Sequence, residues 1–189
     1  MEVVSRQNAD SGKVDMHSPD EWRNRGAILL SGQGKSRAGE DSYYGAAVMP
    51  NCDITGVFSG VPRKSRDAMI NAIANGGDRL DAYAVDNDMG QPGKLAYIYH
   101  KSGFIPVARV EFDPEYTDPS DIGGSQDIVF YRHNGDCAET VAAMYGKYAP
   151  PTKQQYDALP VMGYSEAADY RDRLIAERRA SDWESQNRK

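Results

Sequence analysis

Acidic and basic side chains that could transfer protons or bind phosphate stand in the middle of the chain. Asp53, Asp81 and Glu111 are candidate general bases, because a carboxylate can accept a proton from a substrate. An isolated aspartate in a turn more often serves backbone hydrogen bonding, so both interpretations stay open for Asp53. The run from Arg63 to Arg66 has three basic residues and could bind an anion at the start of a predicted helix.

Cysteine and histidine positions do not indicate a metal site or a disulfide framework. Cys52 and Cys137 are far apart, and His17, His100 and His133 show neither HxH nor HExxH spacing. Structural zinc sites and disulfide-rich domains need closely spaced ligands or several cysteine pairs. Neither is therefore expected in this chain.

Length and composition indicate one ordinary globular domain with additional segments. The chain has 189 residues, of which 40% are hydrophobic and 26% charged, and its net charge is −6. A general nucleic-acid-binding protein needs a basic surface, so this class is not expected. The sequence has neither an apolar run of roughly 20 residues, as a membrane span needs, nor an N-terminal signal peptide. We therefore expect a cytoplasmic protein without membrane contact.

The N-terminal part gives weaker structural patterns than the middle. Residues 1–18 are polar and aperiodic, which predicts a flexible arm. Ser18 as N-cap and Pro19 in the first turn predict the start of a helix. Residues 31–41 are rich in glycine and polar side chains and are predicted to form a loop.

From Tyr43 onward, hydrophobic periodicity predicts the order β-β-α-β-α-β-β. The predicted strands and helices cover residues 43–49, 54–58, 65–75, 80–85, 94–102, 104–112 and 127–132. Alternating strands and helices predict an α/β fold with a mixed sheet covered by helices. A long acidic loop, 113–126, separates the last two strands and could receive a cationic substrate, although such loops are more often simply solvated.

The C-terminal part begins at a break formed by Ala149, Pro150 and Pro151. A helix is predicted from Ser165 to about Trp183. We therefore divide the chain into an arm (1–18), a main domain (19–148) and a linker with a C-terminal helix (149–189). The face of that helix that carries Tyr170 and Leu174 could dock a partner helix.

The segment from Leu95 to Phe104, in which a helix bearing Tyr99 runs into Gly103-Phe104, resembles the late motif of the GNAT acetyltransferases. Segments 45–48 and 53–58 look like the central hairpin of that family, and 105–110 and 127–131 like its closing strands. Residues 76–81 resemble the helix–strand junction in GNAT-like proteins of phages and mobile elements. The resemblance covers nearly half of the chain. It implies a GNAT-like fold, with a mixed, mostly antiparallel sheet flanked by helices and a C-terminal helical tail.

The resemblance also implies roles for particular residues. The second strand of the hairpin would offer its backbone to the pantetheine arm of acetyl-CoA, the co-substrate; this strand comprises Ile54, Thr55, Gly56, Val57 and Phe58. Tyr99 would donate a proton to the departing sulfur, since a pKa near 10 keeps tyrosine protonated at neutral pH. A tyrosine at helical spacing with Leu95 and Ile98 can equally be a core residue. The resemblance does not identify the base, which stays open among Asp53, Asp81 and Glu111, with Asp53 as the first candidate.

The expected phosphate-binding loop departs from the family pattern. Residues 60–67 lack the family's paired glycines, Pro62 removes a backbone donor, and Asp67 places an acid in the first helical turn. Positive charge from Arg63, Lys64 and Arg66 could compensate, and Ser65 could cap the helix and contact a phosphate oxygen. The same residues also suit an ordinary solvated helix start.

Three functional hypotheses follow. The first is a GNAT-type N-acetyltransferase, possibly encoded by a phage, that acetylates a primary amine of a protein or small molecule. The second is a catalytically inactive GNAT-like module that acts through protein partners, for example in a virion. The third is an α/β interaction protein without a CoA site. Binding of CoA would exclude the third, and turnover would separate the first two.

Overall fold

The computed structural model describes residues 18–83, 94–115 and 127–188. In chain order the elements are α1 (Pro19–Asn24), β1 (Ile28–Lys35), β2 (Asp41–Val48), β3 (Ile54–Ser59), α2 (Ser65–Ala74), β4 (Arg79–Tyr83), α3 (Lys94–Lys101), β5 (Phe104–Val110), β6 (Ile128–His133), α4 (Ala138–Met144), α5 (Lys153–Asp157) and α6 (Tyr164–Asn187). The order from β2 to β6 is the predicted one. The predicted arm up to residue 17 and most of the acidic loop lie outside the described residues.

The strands form two antiparallel sheets of three strands each. One has the order β1-β2-β3 and the other β4-β6-β5. The two sheets meet where Asp53, just before β3, forms a parallel bridge with Arg79, the first residue of β4. The predicted α/β class is confirmed, but the predicted single mixed sheet is divided into two.

A bulge in β3 accounts for this division. Gly45 of β2 pairs with Phe58 and Ala47 pairs with Thr55, so Gly56 and Val57 together lie opposite one residue of β2. Gly56 has φ of +59°, the left-handed conformation that glycine adopts without a Cβ penalty. A bulge bends its strand and increases the local twist. β3 therefore turns away from β4 after their common start.

The prediction of a loop over residues 31–41 is wrong for its first half, which belongs to β1. β1 pairs with β2 from Ile28 to Lys35, and a short turn joins the two strands. Its glycines are required by tight packing: a Cβ on Gly32 would lie 2.4 Å from the Tyr44 ring, and one on Gly34 would lie 2.7 Å from Val61. Glycine here marks a strand crossed by large side chains, not a loop.

Two clusters of buried side chains lie on opposite faces of the second sheet. The larger includes Val129 and Tyr131 of β6 and is covered by α2 and α3. The smaller includes Phe130 of β6 and Ala167 of α6. Since side chains alternate along a strand, neighbouring residues of β6 reach different faces. Helix α6 thus covers an apolar face that would otherwise be exposed to water.

Helix α1 begins as predicted. The Ser18 hydroxyl accepts a hydrogen bond from the Glu21 backbone N–H at 3.2 Å, and the Glu21 carboxylate accepts one from the Ser18 N–H at 2.6 Å. This reciprocal capping box satisfies two N–H groups that a helix start leaves without partners.

The chain after β6 contains more structure than the sequence predicts. Helices α4 and α5 are short and were not predicted, and α6 extends four residues beyond the predicted end. Tyr170 and Leu174 pack against the smaller cluster, so the helix face considered for docking is covered by the protein's own sheet. Within the described ranges, none of the helices is both long and apolar enough to cross a membrane.

Candidate functional site

After the Asp53–Arg79 bridge, β3 and β4 pair with different strands, and we call the space between these strands the cleft. Most of the predicted site residues lie on β3 or near its two ends. The two strands start side by side at the Asp53–Arg79 bridge, and β3 then pairs with β2 while β4 pairs with β6. In the described part of the chain, no other strand pairs with the β4-facing edge of β3 beyond that bridge. Edge backbone groups of this kind can hydrogen-bond an extended, amide-containing ligand.

The residues predicted to bind pantetheine lie along this edge, but their side chains differ in exposure. Ile54 is buried in the larger core cluster, with 3% exposure. The four residues after it, Thr55 to Phe58, are partly exposed. The backbone of this strand is therefore the part that could meet a ligand, whereas Ile54 anchors the strand.

The junction from β3 to α2 lies next to the cleft. Val61 is buried against Gly34, and the exposed Arg63 has φ of +67°, which is uncommon for a residue with a Cβ. Lys64 is the N-cap of α2, and its side chain makes no capping hydrogen bond. The idea that Ser65 caps the helix is wrong, because Ser65 is already the first helical residue. The N-cap side chain thus leaves the first N–H groups of α2 uncapped, and such groups at a helix start can bind an anion.

The positive charges at this junction are partly engaged within the protein. Lys64 forms an ion pair with Asp67, whose hydrogen bond and charge raise the pKa of the lysine, and it lies over the Tyr44 ring. Arg66 donates a hydrogen bond to the Ala142 carbonyl at 2.8 Å. Lys64 and Arg66 were expected to bind phosphate in place of the missing glycines. Both already make contacts within the protein, so only part of their charge is available to a bound anion.

Tyr99 lies in the core and not on the surface of the cleft. Its side chain is 5% exposed, and its ring makes edge contacts with Tyr131 at 5.6 Å and Phe104 at 6.4 Å. Burial, with a smaller contribution from the charge of Asp81, raises the pKa of Tyr99 far above its ordinary value. The hydroxyl therefore stays protonated at neutral pH, as a proton donor must.

A buried hydrogen-bonded chain holds the neighbourhood of Tyr99. His100 is 3% exposed; its Nδ1–H donates to the Phe104 carbonyl at 3.1 Å, so its Nε2 accepts from the Tyr156 hydroxyl. The Tyr131 and Tyr156 hydroxyls are 3.1 Å apart. Burial lowers the pKa of His100, so the ring is neutral. Helix α5 is thereby fixed over the core through Tyr156.

Two of the three candidate bases interact with each other. Burial is the largest cause that raises the pKa of Asp53 to about 6; the charge of Arg171 opposes it and the charge of Asp81 adds to it. The Asp53 carboxylate lies 3.7 Å from the nearest Arg171 nitrogen, and its side chain is 23% exposed. Glu111 is exposed just after β5. A carboxylate with a pKa near 6 is mostly ionised at neutral pH and can accept a proton.

Helix α6 contributes two residues to this site that the sequence reasoning missed. The Tyr164 hydroxyl donates to the Asp81 carboxylate at 3.2 Å, and Arg171 lies over the Phe130 ring at 5.3 Å. A pattern for Arg171 was present, because helical spacing puts it on the same face as Ala167 and Ile175. A buried arginine on an apolar helix face needs an acidic partner from another element.

A polar cavity of about 340 Å³ lies elsewhere, between the end of α2, the start of α4 and the second half of α6. Asp78 and Arg179 line it and form an ion pair at 2.6 Å, and Cys137 lies at its wall as a free thiol. None of the predicted site residues lines this cavity. It therefore does not belong to the cleft between β3 and β4.

Among the described residues, His, Cys, Asp and Glu side chains do not form a group of three that could hold a metal ion. Comparisons with known protein families, with curated proteins and with solved structures give no match.

Proposed function

We propose that this chain is a GNAT-type N-acetyltransferase that transfers an acetyl group from acetyl-CoA to a primary amine of a protein or small molecule. The supporting observation is that β3 and β4 pair with different strands after their common start, so that among the described strands one edge of β3 has no partner beyond that bridge. Tyr99 belongs to the same buried cluster as Ile54, the first residue of that strand. The motif similarity to proteins of phages and mobile elements makes a phage-encoded enzyme, acting in the host cytoplasm, part of the same proposal.

Acetyl-CoA would bind along the free edge of β3. Backbone N–H and C=O groups of residues 54–58 suit the two amides of pantetheine, as in the addition of a strand to a sheet. The pyrophosphate would lie at the start of α2, near Arg63, Lys64, Ser65 and Arg66, where the first N–H groups have no side-chain cap.

The chemistry requires one proton acceptor and one proton donor. Asp53 would take the proton from the ammonium group of the acceptor, whose nitrogen then attacks the thioester carbonyl carbon. When the C–S bond breaks, the thiolate would take the proton of the Tyr99 hydroxyl, and the second proton lost by the nitrogen would restore that hydroxyl. A pKa of about 6 leaves Asp53 mostly ionised at neutral pH, and the raised pKa keeps Tyr99 protonated until the thiolate forms.

A second candidate function is a GNAT-like module that no longer catalyses transfer and binds protein partners. It is favoured by the ion pair of Lys64 with Asp67, because this acid stands where the pyrophosphate would bind. A partner would contact the exposed last turns of α6, where Trp183 is 67% exposed, since Tyr170 and Leu174 are covered.

Calorimetric titration of the full chain with acetyl-CoA and CoA tests the proposal. We expect dissociation constants in the micromolar range, which correspond to about −8 kcal/mol. Release of free thiol is then followed with polyamines, lysine derivatives and N-terminal peptides as acceptors.

Each result has a definite meaning. Binding followed by thiol release with at least one acceptor supports the enzyme. Binding without turnover of any acceptor supports the inactive module. Absence of binding up to millimolar CoA excludes the enzyme and favours the inactive module, whose function would then depend on protein partners alone.

A further inference from the structure

Beside the start of α2, cationic and aromatic side chains alternate across three helices. Arg66 of α2 lies 5.4 Å from the ring centroid of Tyr145, which follows α4. Lys101 of α3 lies 6.0 Å from that ring and 3.9 Å from the ring of Tyr97. We call these four residues, Arg66, Tyr145, Lys101 and Tyr97, the cation–aromatic row.

The row is held in place by the backbone and is open to solvent. Arg66 bonds the Ala142 carbonyl, and the Gly146 N–H donates to the Lys101 carbonyl at 3.3 Å. These contacts join α4 to both α2 and α3. Tyr97 is 50% exposed and Arg66 is also exposed. A ligand could therefore reach the row without rearrangement of the core.

The row carries two cations, although the whole chain has a net charge of −6. Among the described side chains, Lys101 and Arg66 act on the Tyr145 hydroxyl, and the acid that opposes them is Asp67. Asp67 is itself paired with Lys64, and the exposed Arg63 precedes that pair. Among these described side chains, basic groups therefore outnumber acidic ones.

We infer that the cation–aromatic row binds the 3′-phosphorylated nucleoside end of CoA, an inference that rests on the proposed function. A purine base stacks on aromatic rings and on guanidinium planes, and phosphates form charge-assisted hydrogen bonds with lysine and arginine. Alternating rings and cations match the alternation of base and phosphate in such a ligand.

The position of the row supports this assignment. Arg66 stands in the first turn of α2, directly after the loop that leaves β3, and α3 carries both Lys101 and the buried Tyr99. Arg66 thus belongs both to the helix start proposed for the pyrophosphate and to the row. The row also supplies the anion affinity that the helix start loses through Asp67.

Three ligands test the inference on the full chain: CoA, dephospho-CoA, which lacks the 3′-phosphate, and 4′-phosphopantetheine, which lacks the nucleoside. We expect CoA to bind about tenfold more tightly than dephospho-CoA, and more tightly still than 4′-phosphopantetheine, by calorimetry. Lys101→Met should reduce the preference for CoA over dephospho-CoA to less than about threefold. Tyr97→Leu should weaken CoA and dephospho-CoA alike, since it removes stacking and leaves the phosphate contacts.

Lys35→Met is the matched control, because Lys35 is an exposed cation at the end of β1 that pairs with Asp41. It should leave all three affinities unchanged. Equal binding of CoA and dephospho-CoA, with no effect of Lys101→Met in a protein that melts like the wild type, would overturn the inference and leave the proposed function standing. Failure of all three ligands to bind would overturn both.

Discussion

Tyr99→Phe removes the hydroxyl of a buried ring and keeps the ring in place. Phenylalanine at this position can keep the edge contacts with Tyr131 and Phe104. If the hydroxyl protonates the leaving thiolate, Tyr99→Phe should slow acetyl transfer about a hundredfold or more, as loss of a general acid does. The affinity for CoA should remain nearly unchanged. Turnover under saturating acetyl-CoA and calorimetry measure the two quantities separately.

Tyr170→Phe is the control for this change, because Tyr170 packs against the smaller core cluster under α6. Its turnover should equal that of the wild type. Unchanged turnover in Tyr99→Phe would instead make Tyr99 a core residue without a catalytic role, the second interpretation that its helical spacing allows.

Asp53 gives the stability of the protein a pH dependence of unusual sign. Its pKa is about 6 in the folded chain against 3.8 for an unperturbed aspartate, chiefly because it is buried. Between about pH 4 and 6 the folded state therefore binds more protons than the unfolded state, and the free energy of unfolding falls as the pH rises. Asp53→Asn cannot ionise. Relative to wild type, its free energy of unfolding should rise by about 2 kcal/mol from pH 4 to pH 7.

Urea denaturation of both proteins at the two pH values measures this difference. Asp20→Asn provides a comparison, since its side chain is 85% exposed. A difference between Asp53→Asn and wild type that is independent of pH would mean that Asp53 has an ordinary pKa. Asp53 would then lose its main qualification as the base.

At the scale of single residues, the sequence predicts interactions between near neighbours in the chain better than contacts between distant residues. The capping role of Ser18 follows from its three-residue spacing to Glu21, and both hydrogen bonds form. The approach of Asp53 to Asp81 and Arg171 depends on two sheets and a distant helix. No local pattern contains that information, so the candidate base could be named and its partners could not.

Among the elements, the hairpin of β1 and β2 depends on glycine for close approach. A Cβ on Gly45 would lie 2.1 Å from the Leu30 carbonyl oxygen, a backbone atom that cannot move aside. Gly45→Ala should therefore lower the free energy of unfolding by about 2–3 kcal/mol. Thermal and urea denaturation monitored by circular dichroism would measure the loss.

Gly39→Ala provides a matched comparison in the turn of the same hairpin. Gly39 has φ of +83° but no heavy atom within 4 Å of an added Cβ, so the expected cost is about 1 kcal/mol of backbone strain. Equal losses at the two positions would mean that steric contact with β1 does not limit residue 45.

The same glycines explain why the elements were predicted unevenly. Gly32 and Gly34 gave residues 31–41 the composition of a loop, although they allow Tyr44 and Val61 to cross β1. The strands and helices from residue 43 onward contain regular apolar spacing and were found in the correct order. Helices α4 and α5 have seven and five residues, too few for a periodic pattern to stand out.

For the whole molecule, the C-terminal helix divides into a structural and an exposed part. Ala167, Arg171 and Ile175 are buried, and Asp172 pairs with Arg79 of β4 at 2.8 Å. Residues 181–188 are all exposed. Both polar and apolar contacts join the first half of α6 to the second sheet. The fold therefore depends on this first half of the helix. The fold class could be predicted from the alternating elements, whereas this packing could not.

Two truncations separate the parts of α6. Ending the chain after Ala180 removes exposed ion pairs such as Arg188 with Glu184, each worth at most about 0.5 kcal/mol, so the melting temperature should change little. Ending it after Gly163 uncovers Phe130, which is 1% exposed, and should abolish cooperative melting. Circular dichroism and gel filtration measure both outcomes. Cooperative melting of the shorter chain would mean that α6 is an appendage, whereas a large loss after Ala180 would mean that the last turns of α6 pack against the protein.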